Sequence, residues 1–272
     1  MKRWCALFIP ELWLQWCVQH SATSSTTSNH PVVVVFERDS DAGIVNLNRA
    51  AFDAGLRKGM SLALARSSAG CAELEVHHCD KNKRREAGKQ IAKTLEMWTP
   101  WVEISTAYPG VFLIDPRGMD DFWGSHHAWL EHIRMGLKYA LGLRGSRGVI
   151  GWSRESVSVL VRLHREDLEF SSKEEERALL ARVPLIRAKW LSTSTRQGFR
   201  DVGLETVADL LRLDEASVRE RLGQEAAALH RARPLRRLRP PEARPQAVRD
   251  PPHGQQRGLP LPQARPDHTA PR

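Results

Sequence analysis

Val102-Glu103-Ile104-Ser105-Thr106-Ala107-Tyr108-Pro109-Gly110-Val111-Phe112-Leu113-Ile114-Asp115 reads as two strands, 102–106 and 111–115, joined by the turn-prone Tyr108-Pro109-Gly110. Before this hairpin, residues 82–98 carry Ala87, Ile91, Leu95 and Trp98 at helical spacing; after it, residues 126–141 carry Leu130, Ile133, Leu137 and Leu141 in the same way. Further out lie an apolar strand at 3–9, stopped by Pro10, and another at 148–152. The order is β-α-β-β-α-β, and the two apolar stripes would cover one face of an antiparallel sheet. The expected class is therefore α+β, a ferredoxin-like βαββαβ layer.

Between the first strand and the first helix sits an insertion. It holds a Ser/Thr-rich stretch at 21–30, expected as a flexible loop, and an apolar strand Val32-Val33-Val34-Val35-Phe36. From Ser172 the pattern turns helical, with helices expected at 174–183, 195–202, 204–211 and 214–222, the last capped by Asp214.

The 272 residues are 41% hydrophobic, enough for a real core. No apolar run reaches the ~18 residues of a membrane span, and Pro10 and Glu11 interrupt the opening apolar stretch before a signal peptide is complete. A cytoplasmic protein without membrane contact is expected. Cys5, Cys17, Cys71 and Cys79 are sparse and irregular, as in reduced thiols. His77-His78-Cys79 with Cys71 matches none of the usual zinc spacings. His126, His127 and His132 read as surface residues of a helix. The nine tryptophans could stack on bases, although core or interface packing accounts for most of them.

The net charge of +9 is unevenly placed: residues 231–272 hold ten Arg against three acids, and residues 1–230 hold 31 basic against 29 acidic residues. Ten of the sixteen prolines also lie in 231–272. That segment is either a disordered basic tail or the product of a frameshift in a GC-rich gene. Upstream, Lys81, Lys83, Arg84 and Arg85 could contact phosphates at a helix start, the alternative being a solvated helical face.

Several segments resemble the Y-family translesion DNA polymerases. The first strand resembles the opening palm strand of that family, which ends in Asp-x-Asp; here the stretch reads Phe8-Ile9-Pro10-Glu11-Leu12-Trp13. Asp115 and Phe122-Trp123-Gly124 match later palm landmarks, and on that anchor Gly110 and Val111 stand where the family places Asp-Glu. Asn48 through Met60 resembles the fingers motif, with Arg49 and Phe52 at the positions of its triphosphate-gripping Tyr and Arg. Gly151 through Val157 resembles the family's Gly-x-x-x-Asn-Lys segment, and its Lys falls on Ser156. The thumb turn that points amides at a DNA phosphate would correspond to Leu191 through Thr195, with Ser192, Thr193 and Ser194 in place of glycines.

Two-metal phosphoryl transfer needs clustered carboxylates to hold cations about 3.5–4 Å apart. The substitutions at Pro10, Glu11, Arg49, Phe52, Gly110, Val111 and Ser156 therefore lead to the expectation of no catalytic residues, no metal site, no cofactor and no enzyme. With Leu7 through Gln15, the pattern resembles the ImuB-type, catalytically degenerate branch. The resemblance implies a palm at about 1–12 and 80–166, fingers at about 13–79, a helical thumb at 167–230 and an apparent C-terminal truncation. It also implies a bacterial, nucleoid-associated scaffold in SOS-type mutagenesis after DNA damage. Such a scaffold binds damaged or primer-template DNA weakly and links the sliding clamp, an error-prone replicative-type polymerase and a RecA-like accessory protein. The alternatives are an active translesion polymerase, using Mg2+ on unusual ligands such as Glu11, Glu103 or Asp115, and a nonfunctional truncated product.

Overall fold

The computed structural model describes residues 2–21, 30–39, 41–68, 73–188 and 191–231. The tail beyond 231, most of the Ser/Thr stretch, Cys71 and Trp190 lie outside the described residues.

The expected βαββαβ layer is present. Strand β1 (Trp4–Phe8) runs between β6 (Val111–Ile114) and β7 (Arg147–Gly151), antiparallel to both; β5 (Val102–Ile104) flanks β6, and β8 (Leu168–Glu169) adds in parallel to β7. Cys5 thus lies between Ile114 and Ile150, and Phe8 between Val111 and Arg147. The central strands are buried on both faces, which is why they read as continuous apolar runs rather than alternating ones.

One face carries Cys5, Leu7, Ile9, Phe112, Ile114 and Ile150 and is covered by helices α4 (Lys81–Leu95) and α6 (His126–Leu141), preceded by the single-turn α5 (Met119–Trp123). Asp80 caps α4 through the Lys83 amide, and Ala87, Ile91 and Leu95 are fully buried as their spacing predicts. On α6, Leu130, Ile133 and Leu137 are buried beside Trp129, whose indole N–H donates to the Trp98 carbonyl at 2.8 Å. A Cβ on Gly136 would stand 2.0 Å from the Trp98 ring, so only glycine lets Trp98 lie against α6 there. His126 corrects the surface expectation: it is buried, with its ring nitrogens 2.9 Å from Glu169 Oε1 and 3.0 Å from the Pro116 carbonyl.

The opposite face presents Ala6, Val111, Leu113 and Val149 to helix α7 (Arg154–Leu163), capped by Ser153. The same apolar cluster continues into α8 (Lys173–Ala181), α9 (Thr193–Asp201), α10 (Val207–Arg212) and α11 (Glu215–Arg231) through Leu180, Phe199, Leu210 and Val218. The expected start of α10 at 204 shifts to 207 because Thr206 and Asp209 form a reciprocal capping box. Asp214 accepts the Ser217 amide at 2.9 Å, as its expected capping role requires.

Within the insertion, α1 (Leu12–Gln19) packs Leu12 and Trp16 onto the α4/α6 face. A separate three-stranded sheet follows, ordered β3 (Ile44–Leu47), β2 (Val32–Val35), β4 (Glu75–His78), with α2 (Arg49–Asp53) and α3 (Leu62–Ser67) enclosing a small core around Val33, Ile44, Leu56 and Leu62.

Candidate functional site

The register of β1, β6 and β7 brings Pro10-Glu11, Gly110-Val111 and Arg147 to one end of the sheet. The Ile9 amide donates to the Gly110 carbonyl at 2.9 Å and locks the first two together. Gly110 has φ +82°, and a Cβ there would lie 3.0 Å from the Ile9 carbonyl oxygen and 3.2 Å from the Phe8 ring. Val111 is fully buried in the apolar layer. Glu11 turns the chain into α1 at φ 47°, and Lys58 holds its carboxylate at 2.8 and 3.0 Å, joined by the Asn46 side-chain amide.

The other two acids lie elsewhere. Glu103, opposite Leu113 on the edge strand, forms an ion pair with Arg154. Asp115 is four residues beyond Val111, about 13 Å along a strand. It is 3% exposed and takes the Arg117 guanidinium at 2.9 and 3.0 Å. Burial pushes its carboxyl up, but the Arg117 contacts outweigh this and hold it below the usual range.

In the inserted segment, Asn48 caps α2 through the Ala51 amide and also accepts the Val32 amide at 3.0 Å, tying the helix to β2. Arg49 pairs with Asp53 at 2.9 Å, while Phe52, 45% exposed, lies between the guanidinium of Arg57 at 4.0 Å and that of Arg49 at 5.6 Å. Ser156 is fully buried at the start of α7, beside Glu176, a residue the sequence reading did not single out. The Glu176 carboxylate accepts the Trp152 amide at 2.6 Å and the Ser153 amide at 3.1 Å. Burial raises the Glu176 carboxyl above its ordinary range, against the pull of these donors.

Of the basic residues at the start of α4, Lys83 reaches the His78 carbonyl at 3.1 Å and Arg84 stacks on Phe36 at 3.9 Å. Lys81 and Arg85 are exposed, and their i, i+4 spacing puts them on one helix face. At the turn into α9, the Ser192 amide and hydroxyl and the Thr195 hydroxyl all donate to one oxygen of Glu225, at 2.8, 2.7 and 2.8 Å. Burial raises that carboxyl, but the Ser192 and Thr195 donors hold it below the ordinary range. A phosphate docking there would have to displace an internal carboxylate. Ser194 completes the turn through a hydroxyl contact to Ser192 at 3.0 Å, and Thr193 begins the helix.

Residues 18–151 match the impB/mucB/samB family. No curated protein is similar enough to match. Among solved structures, DinB from Sulfolobus solfataricus is similar at 10% identity and a TM-score of 0.61. A Dbh-based Y-family DNA polymerase chimera is similar at 12% and 0.59, and an insertion ternary complex of Dbh DNA polymerase at 12% and 0.58. Each similarity covers 85% of this chain, which spans 66% of the length of each of these neighbours. At these identities the likeness establishes the fold. Together with the family match it supports a place in the Y-family, UmuC-like superfamily.

Two expectations are overturned by these findings. The family match and the polymerase neighbours point to a DNA polymerase rather than to a protein that is not an enzyme. With that family comes divalent metal, Mg2+, in place of the expected absence of a cofactor. The acids of this chain do not fit the metal pair of two-metal chemistry. Glu11 follows the end of β1 that pairs with Val111, at the other end of the sheet from Asp115; Glu11, Glu103 and Asp115 are each engaged by a cation, and no three metal-ligating side chains cluster among the described residues.

Proposed function

We propose, from its place in the Y-family, UmuC-like superfamily, that this chain acts in DNA damage tolerance as a translesion DNA polymerase working on damaged or primer-template DNA. The observation that carries the reading is the βαββαβ sheet with its inserted three-stranded sheet, together with the family match, which runs from residue 18 through β7 to 151. On this reading the palm comprises about 1–12 and 80–166, the fingers 13–79 and the thumb 167–230. Primer extension with the purified chain in magnesium or manganese, on undamaged and abasic templates, is the test. Templated incorporation is the result the family predicts, and no product from a chain that binds the same DNA would overturn the polymerase reading.

A second reading is favoured by the substitutions at Pro10, Glu11, Arg49, Phe52, Gly110, Val111 and Ser156, and by the ion pairs that occupy the remaining acids. It assigns the chain to the ImuB-type branch. There it would serve as a DNA-binding scaffold in damage-induced mutagenesis, with the sliding clamp, an error-prone replicative-type polymerase and a RecA-like accessory protein as partners. Capture of those purified partners by the chain bound to primer-template supports it, and failure to capture any of them counts against it.

Lys81 and Arg85 are the α4 cations we assign to the DNA backbone. The double variant Lys81→Gln, Arg85→Gln is expected to weaken primer-template binding several-fold. It should also make the log–log salt dependence shallower by about 2, one released counterion per lost contact. An unchanged slope removes both residues from the interface.

A further inference from the structure

We propose that Cys17 and Cys79 form a redox modification site, a dithiol that a hydroperoxide converts into a disulfide clasp across the neck of the inserted segment. The inference is independent of whether the chain copies DNA or serves as a scaffold.

The two residues stand where the chain enters and leaves the insertion. Helix α1, with Cys17 in its last turn, carries the chain from β1 towards the three-stranded sheet; Cys79 follows β4 and directly precedes Asp80, the cap of α4. The Cys79 amide donates to the Val35 carbonyl at 2.9 Å, which extends the β2–β4 ladder by one residue and holds Cys79 in place. Cys17 and Cys79 share one small buried cluster with Val34, walled by Trp13, Leu14 and Phe36, and the Trp13 and Phe36 rings meet edge to face at 6.1 Å. Within it the two side chains are hydrogen-bonded, Cys17 donating to Cys79. The thiols are therefore neighbours although 62 residues separate them in the sequence, and both are free in this structure.

Their surroundings divide the roles. The hydrogen bond from Cys17 lowers the Cys79 thiol and outweighs the burial that raises it, and Arg84 and Lys83 at the start of α4 add to the lowering against Asp80. The same hydrogen bond, with burial, raises Cys17. Cys79 is thus the nucleophile and Cys17 the resolving thiol, the one that keeps some surface, at 8% exposed against 0% for Cys79. A reagent as small as hydrogen peroxide suits so narrow an approach. The Cys79 thiolate attacks one peroxide oxygen: the S–O bond forms, the O–O bond breaks, and the departing hydroxide takes a proton to become water. The Cys17 sulfur then attacks the Cys79 sulfur, the S–S bond forms, and the sulfenic oxygen leaves as a second water with the Cys17 proton. Two thiols are oxidised by two electrons and one peroxide is reduced to two waters. Cys5 is the internal contrast: it is fully buried in the α4/α6 face, and burial pushes its thiol well up.

The test uses the full chain, reduced, desalted and treated with hydrogen peroxide for the concentration and time that fully oxidise glutathione in a parallel sample. After unfolding and alkylation of free thiols, cleavage following glutamate puts the four cysteines in four peptides, 1–11, 12–37, 38–73 and 76–86. Peptides 12–37 and 76–86 are expected joined, in wild type and in Cys71→Ser alike, with Cys5 recovered as an alkylated thiol. Recovery of Cys17 and Cys79 as free thiols, as sulfinic acids or joined to Cys71 overturns the inference. The oxidised chain should melt about 5–10 °C above the reduced one, because the link closes a long loop in the unfolded state. Dithiothreitol should remove that difference, and Cys17→Ser should never show it. A linked chain that melts no higher than the reduced one contradicts the clasp.

Discussion

Glu176→Ala is expected to lower the stability of the fold by about 3 kcal/mol. The substitution removes one carboxylate that serves two buried backbone donors, Trp152 N–H and Ser153 N–H, and each orphaned donor costs about 1–3 kcal/mol. Neither amide has another helix turn to bond to, because they precede α7. Urea denaturation at neutral pH measures the loss, and a change below 1 kcal/mol would contradict the role given to Glu176. The pH dependence has a fixed sign. The Glu176 carboxyl is raised in the folded protein, chiefly by burial, so the native state holds this proton more tightly than the unfolded chain does. Its contribution is full below the ordinary glutamate pKa and declines as pH rises through the raised value. Glu176→Gln, a neutral mimic of the protonated carboxyl that cannot titrate, should therefore lie closest to wild type at pH 4 and gain stability relative to wild type as the pH rises to 7.

Gly110→Asp, which restores an acid at the position the family resemblance singles out, is expected to destabilise the protein by about 2–5 kcal/mol rather than to create a metal site. A residue with a Cβ at φ +82° costs about 1–2 kcal/mol. Crowding against the Ile9 carbonyl at 3.0 Å and the Phe8 ring at 3.2 Å adds about 1–3 kcal/mol. The Ile9 amide bond to the Gly110 carbonyl pins the backbone, so the strain has little room to relax. A lone carboxylate there also meets Lys58-bound Glu11 as its nearest acid on the sheet end. Thermal melting with and without manganese checks both parts: a lower melting temperature with no manganese-dependent rise is expected, and wild-type stability would contradict it.

What the sequence disclosed, and what it hid, follows from how far each signal reaches along the chain. Ala87, Ile91 and Leu95, and Leu130, Ile133 and Leu137, are helix stripes whose period is local, and each lies where its spacing predicts. Helix α7 left no such stripe, because Val157 through Val161 are buried all round and the valines suggest a strand. The expected strand at 102–106 ends at Ile104, and the short β3 and β4 are too brief and too polar to stand out beside Val32–Val35. The partners that define the site carry no local signature at all. Lys58 reaches Glu11 across 47 residues, Glu225 reaches Ser192 across 33, and Glu176 reaches Trp152 across 24. His126 looked like a surface residue for the same reason, since Glu169 lies 43 residues away.

The most direct test of the account is an anisotropy titration of labelled primer-template DNA with the purified chain, repeated from about 50 to 200 mM salt. Saturable binding that weakens steeply and linearly in log–log form is the predicted result. No binding at the lowest salt would contradict the assignment of this fold to work on DNA.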